Sequence, residues 1–207
     1  VTSVVVASSD KAYGESEVLP YTESMRLQGT YPYEVSKSMT DLVTRSYALT
    51  YGVPAVIARC GNIYGPGDLN WSRIVPGTFR SILAGHRPQL RSDGTFLRDY
   101  LHVDDVVGAY LHLSQAATEH RGEGYNFSDE SPLSVLDIFR ACCVAAGVPD
   151  LQPEILGTAV GDLVGLAESP DRVLRHEEIE GGLIHVRQQR VVDEAGPDRV
   201  HTHALRG

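Results

Sequence analysis

Two short stretches carry residues that could do chemistry together. Ser8, Ser9, Asp10 and Lys11 follow directly on the apolar run of residues 4–7, and Tyr33 and Lys37 stand four residues apart in YPYEVSK. A phenol titrates near pH 10, so at neutrality it is a poor base. An ammonium one helical turn away favours the phenolate and brings the phenol into use as a general base for a hydroxyl proton. Residues at i and i+4 share a helix face, so Tyr33 and Lys37 can cooperate in this way. Ser9 supplies a hydroxyl that could hold the same substrate oxygen. Tyr-x-x-x-Lys also occurs by chance in many helices. Its place about 20 residues after a strand ending Ser-Ser gives it chemical meaning.

The elements that must position these groups are legible in the pattern. Val4, Val5 and Val6 form a β-branched run without alternation, which suits a strand covered on both faces in a parallel sheet. Ligands bind at the carboxyl ends of such strands. Residues 14–30 are polar and turn-rich and read as a surface loop. A helix is expected from Pro32, with Val35, Met39, Leu42, Val43 and Leu49 as its apolar stripe, Gly52 as its cap and Pro54 as its stop. Ala55 to Arg59 reads as a second buried strand, which completes a parallel crossover unit. A short helix over 72–85 follows, then loosely alternating residues 89–102. A helix is expected from Val103, with Asp104 and Asp105 at its positive end. Tyr125–Phe127 reads as a strand, and a helix capped by Ser134 and Asp137 should end at Gly147.

Composition narrows the classes. The chain has 207 residues, 42% hydrophobic, with a net charge of −9, which suits one domain with a small second lobe. An acidic chain repels phosphate backbones, so nucleic acid is not an expected partner. No apolar run approaches the roughly 20 residues that span a bilayer. Cys60, Cys142 and Cys143 fit neither a zinc site nor a disulfide framework, so a reducing cytoplasm is expected. Four of the eight histidines, His176, His185, His201 and His203, lie after residue 157. Their spacing supports no metal site and reads as a solvated tail.

Taken jointly, SSDKAYG (8–14), YPYEVSK (31–37), RCGNIYGPGD (59–68), RIVP (73–76) and GTFLRDYLHVDD (94–105) resemble the extended short-chain dehydrogenase/reductases, and within them the nucleotide-sugar epimerase/dehydratase group. The resemblance covers roughly residues 1–147. It implies an α/β fold: a partial Rossmann-like parallel sheet with a small α/β substrate-binding lobe. Residues 1–65 would be the carboxyl part of the NAD-binding domain, 66–156 the substrate lobe, and 157–207 an atypical tail, expected to be disordered.

The same resemblance implies NAD as cofactor and a nucleotide sugar as substrate. Ser9, Tyr33 and Lys37 match the catalytic set, Tyr33 and Lys37 also facing the nicotinamide ribose. Asn62, Arg73 and Arg98 match substrate-binding positions, Arg98 offering a guanidinium fork to the diphosphate. Homodimerisation through the helix at 31–51 is the group's habit. Asp10 and Lys11 stand where the 4,6-dehydratases carry an acid and a Glu or Lys, and resemble the CDP-glucose 4,6-dehydratase type and also the inverting UDP-N-acetylglucosamine dehydratases. Lys11 would take the C5 proton and Asp10 would protonate the departing C6 hydroxyl. A 4-epimerase and a non-catalytic sugar-nucleotide-binding remnant remain the alternatives.

Two departures stand out. The group's glycine-rich phosphate loop is absent, and the chain starts at Val1 in a buried-type strand. Both imply a true beginning upstream. The closing residues lack the group's strand and aromatic helical segment, which fits a truncated or frame-altered product.

Overall fold

The computed structural model describes residues 1–157. The expectations for the tail beyond them, its disorder and its histidines included, lie outside the described residues.

Strand β1 (Val4–Ser9) leads through a single 3-10 turn (Asp10–Tyr13) and a loop to helix α1 (Pro32–Tyr51), then strand β2 (Ala55–Cys60). Pro32 opens α1, and Glu34 Oε2 reaches back to the Tyr31 amide at 3.2 Å. Gly52 closes the helix at φ +68°, a left-handed conformation glycine adopts without steric cost. After β3 (Asn62–Tyr64) come α2 (Ile74–Leu83), the short strands β4 (Gln89–Leu90), β5 (Leu97–Arg98) and β6 (Tyr100–His102), and α3 (Val103–Ala116). Strand β7 (Gly124–Phe127), β8 (Leu133–Ser134), α4 (Val135–Ala145) and β9 (Glu154–Ile155) complete the described chain.

The main sheet runs β1-β2-β7, all parallel, with Ser8 opposite Arg59 and Cys60 opposite Phe127. Every residue of β2 is buried, as a central parallel strand requires. Alternation then assigns the two faces. Val56, Ala58 and Cys60 pack with Val106, Ala109 and Leu113 of α3, so Ala55, Ile57 and Arg59 look the other way, towards α1. A second cluster joins α2 to α4 through Leu90, Phe139 and Cys143, with Ile74 and Ile82 against them. The pairs β3–β6, β4–β9 and β5–β8 form three separate two-stranded sheets beside it.

Helix α1 corrects one expectation. The apolar stripe does not face the sheet: Met39, Leu42, Val43 and Leu49 are between 54% and 66% exposed, and Val35 is 37% exposed. The buried side is Ser38, Asp41 and Ala48. Small and polar residues let the helix come close to β1 and β2, where Ser38 and Asp41 find hydrogen-bond partners: Ser38 Oγ donates to Ala12 O at 2.7 Å and Asp41 accepts from Ser8 and Arg59. Polar demand set the helix rotation, and the apolar periodicity did not.

Among the described residues no helix is long and apolar enough to cross a membrane. The three cysteines are free and buried.

Candidate active site

The carboxyl end of β1 brings the first group together. Ser9 caps the 3-10 turn: its Oγ accepts from the Lys11 amide at 3.2 Å and donates to Asp10 Oδ1 at 2.8 Å. Ser9 and Asp10 are each 7% exposed. Burial pushes the Asp10 carboxyl above its ordinary range; the Ser9 hydrogen bond and the charges of Lys11 and Arg98 pull the other way. A carboxyl so placed keeps its proton to higher pH than a solvated one, which suits a general acid.

The first turns of α1 bring the second group. Tyr33 is 57% exposed, and Lys37 Nζ stands 5.8 Å from its ring centroid, so the two share a face as their spacing requires. Lys37 Nζ also donates to Ala7 O at 3.0 Å. That bond ties α1 to β1 near its carboxyl end, beside Ser8 and Ser9.

Asn62, Arg73 and Arg98 come from three further elements. The Asn62 amide donates to Asp99 O at 2.8 Å in the β3–β6 pair, and its side chain is exposed. Arg98 lies in β5, donates to Leu97 O at 2.9 Å, stacks over Phe96, and its charge is felt at Asp10. Arg73 is the residue before α2. It is exposed and donates to Asp68 Oδ2 at 3.2 Å. Ser9, Asp10 and Lys11 thus stand at the end of β1 with Lys37 bonded to it, and the charge of Arg98 acts on Asp10, while Arg73 lies before α2 with its Nη1 also 3.5 Å from Ile63 O in β3, beside Asn62.

Sequence reading missed two buried features. The first is Asp99, next to Arg98. Its Oδ1 accepts from the Asp129 amide at 3.1 Å, while its Oδ2 has no hydrogen-bond partner among the described residues. Burial raises its pKa to about 7, with the Ser128 and Asp129 hydrogen bonds opposing and the charge of Asp10 adding to the rise. Gly61 permits the approach: a Cβ there would stand 2.9 Å from Asp99 O and 3.1 Å from Oδ2. The second feature is the buried pair Arg59–Asp41, with Nε to Oδ2 at 3.1 Å. An arginine inside the apolar run AVIARC was its available signal, since a buried charge demands a partner.

Residues 1–127 match the model of the NAD dependent epimerase/dehydratase family. The chain belongs to that family. A dTDP-glucose 4,6-dehydratase of Streptomyces griseus is 32% identical over 148 residues, 71% of this chain and 44% of that protein. A dTDP-glucose 4,6-dehydratase of Bacillus anthracis, solved in complex with NAD, superposes with a TM-score of 0.72 at 26% identity, covering 80% of this chain and 52% of that one. A UDP-glucose 4-epimerase of Thermotoga maritima, solved with UDP-glucose, gives 0.72 at 27% identity, covering 81% and 55%. The chain therefore spans about half the length of the family members it matches.

In this epimerase/dehydratase chain a nicotinamide ribose would find its donors on the first turns of α1. The Tyr33 hydroxyl and the Lys37 ammonium are donors of the kind that ribose hydroxyls accept. The pyrophosphate end has no counterpart among the described residues, because no glycine-rich turn links a strand to a helix there.

Proposed function

We propose that this chain carries the acid–base half of a nucleotide-sugar 4,6-dehydratase, which removes water from a sugar nucleotide to leave a 4-keto-6-deoxy sugar. The observation that supports this most is Asp10: a buried carboxyl of raised proton affinity, next to Lys11 and held by Ser9 at the open end of β1. A 4-epimerase has no use for an acid and a lysine at that place, whereas elimination needs both. The relatives named dTDP-glucose 4,6-dehydratase favour the same reading.

In this mechanism Tyr33, with Lys37 beside it, takes the proton of the sugar 4-hydroxyl. Ser9, whose hydroxyl bonds Asp10 here, holds the same oxygen as it becomes a carbonyl. NAD, when bound, supplies the acceptor of the C4 hydride and its return to C6. The 4-ketone acidifies the C5 proton, which Lys11 removes and gives back to C5 as hydride returns to C6. Asp10, protonated, gives its proton to the departing C6 hydroxyl, which leaves as water. Arg98 and Asn62 hold the diphosphate. Residues 1–65 then act as the nicotinamide side and 66–156 as the sugar-nucleotide side.

A second reading, 4-epimerisation, draws on the likeness to the Thermotoga maritima epimerase. The test is incubation with NAD and, in turn, dTDP-glucose, CDP-glucose and UDP-glucose, with the products read by NMR. A 4-keto-6-deoxy sugar is expected. A C4 epimer would establish the second reading. Binding of sugar nucleotide without turnover would make this chain a non-catalytic binder.

A further inference from the structure

A chain of buried polar contacts runs beneath the candidate site and includes no group assigned to substrate. Arg59 lies in β2 opposite Ser8. Its Nε donates to Asp41 Oδ2 at 3.1 Å, and the same oxygen accepts from Ser8 Oγ at 3.0 Å. Its Nη1 donates to the Tyr13 hydroxyl at 2.6 Å. Tyr13 donates onward to Asn126 Oδ1 at 2.7 Å, and Asn126 Nδ2 donates to Tyr21 O at 3.1 Å. Tyr13, Asp41 and Asn126 are at most 2% exposed, and Arg59 is 7% exposed. Space for the guanidinium is made by Gly124, where a Cβ would stand 2.6 Å from Nη2.

The placement of the arms is specific. Ser8 precedes Ser9. Tyr13 ends the single turn that Asp10 and Lys11 begin. Asp41 lies one helical turn after Lys37 on the same side of α1. Arg59 therefore holds, through one guanidinium, the turn and the helix, and Asp41 passes the hold on to the strand end through Ser8; the five candidate catalytic side chains project from these three pieces. A buried ion pair is weak evidence of stabilisation, because apolar residues of similar volume often serve the fold as well. What they cannot supply is a rigid planar fork that fixes two partners at set angles.

We propose that Arg59 is a positioning residue: with Asp41 and Tyr13 as its arms, it sets the Asp10–Lys11 turn relative to the Tyr33–Lys37 helix. The elimination reading of Asp10 and Lys11 gives this clamp its purpose, so the inference deepens that reading. A displacement of about 1 Å in such a geometry costs roughly a hundredfold in rate.

The test uses Tyr13→Phe, which removes one oxygen and keeps the ring, and Arg59→Lys, which keeps the charge and loses the fork. The first readout needs no turnover. In the 207-residue chain, the Asp10 carboxyl is followed by carbon-13 NMR through a pH titration and assigned with Asp10→Asn. If the clamp holds the turn in its buried seat, the Asp10 midpoint in both variants falls towards the ordinary carboxylate range by about half a pH unit or more. A residue that served only global stability would lower the melting temperature and leave this midpoint in place. The second readout is exchange of the sugar C5 hydrogen with solvent deuterium, in the presence of NAD and dTDP-glucose. It is expected to fall about tenfold or more in Tyr13→Phe with KM changed less than about twofold. An unchanged Asp10 midpoint in either folded variant overturns the clamp. A wild-type chain that exchanges no C5 hydrogen with any sugar nucleotide overturns the elimination reading instead, and the Asp10 titration still decides the clamp.

Discussion

Helices α1 and α4 solve the same packing problem in opposite ways. In α4 the apolar residues go inward: Ile138, Phe139, Cys142 and Cys143 are buried, and the helix is set by contact with α2 and Leu90. In α1 the buried residues are Ser38, Asp41 and Ala48, and the apolar stripe is exposed. The difference follows from what each helix meets. Helix α4 meets a greasy helix, whereas α1 meets Arg59, the Ala12 carbonyl and the end of β1. A helix rotates to satisfy buried charge before it rotates to hide leucines, since an unpaired buried charge costs more than an exposed leucine.

The strongest way to break this comparison is to cut the polar anchor of α1. Asp41→Ala would leave Arg59 buried without its carboxylate. The expected loss is about 3–5 kcal/mol of stability, read by urea unfolding. Asp41→Ala together with Arg59→Met should recover much of that loss, because the pair is then removed whole. If the single change costs under about 1 kcal/mol, polar anchoring does not set α1.

On the α4 side, Phe139→Ala removes a fully buried ring from the α2–α4 cluster, and a loss of about 3–4 kcal/mol is expected in the same unfolding assay. The two large effects should differ in kind. Salt leaves the Phe139→Ala loss unchanged, while no second apolar substitution restores it.

Buried carboxyls make the site region pH-sensitive in a way α4 is not. The folded-state pKa of Asp99 is about 7 against an ordinary 3.8, so between these values the folded chain binds more protons than the unfolded chain. Stability then falls as pH rises from about 4 to 7 and levels off above. Asp10 and Asp41 are raised by burial too and act with the same sign. Asp99→Asn mimics the protonated acid and should flatten this slope by on the order of 3 kcal/mol across that range. Urea midpoints at pH 5 and pH 8 check it; an equal slope in wild type and variant would show that Asp99 titrates as a solvated acid.

How much of this was legible follows from where each signal sits. The start of α1 at Pro32, its end at Gly52 and the Ser134–Asp137 capping box are local, and local chemistry decided them. The β1–α1–β2 unit was readable because an unbroken apolar run has one natural home in a parallel sheet. Strands β4 and β9 were not, since each is two residues long and its partner lies 65 positions away. The rotation of α1 was misread because apolar period was taken alone, although Arg59 in an apolar strand already required an acid on whatever covered it. Asp99 could be seen as a residue, but its proton affinity comes from burial under Gly61, which no spacing encodes.

The smallest expected effect tests the other face of α1. Leu42 is 58% exposed, so Leu42→Ser removes little buried area. A change within about 0.5 kcal/mol is expected in urea unfolding of the 207-residue chain at low micromolar concentration. That outcome, beside the loss from Asp41→Ala one residue earlier, would show two adjacent positions of one helix governed by opposite rules. A loss of about 2 kcal/mol, or a melting temperature that rises with protein concentration in wild type but not in Leu42→Ser, would mean that a second copy covers the stripe. The apolar period of α1 would then be a true burial signal that reads an interface, with the rotation of the helix set from both sides at once.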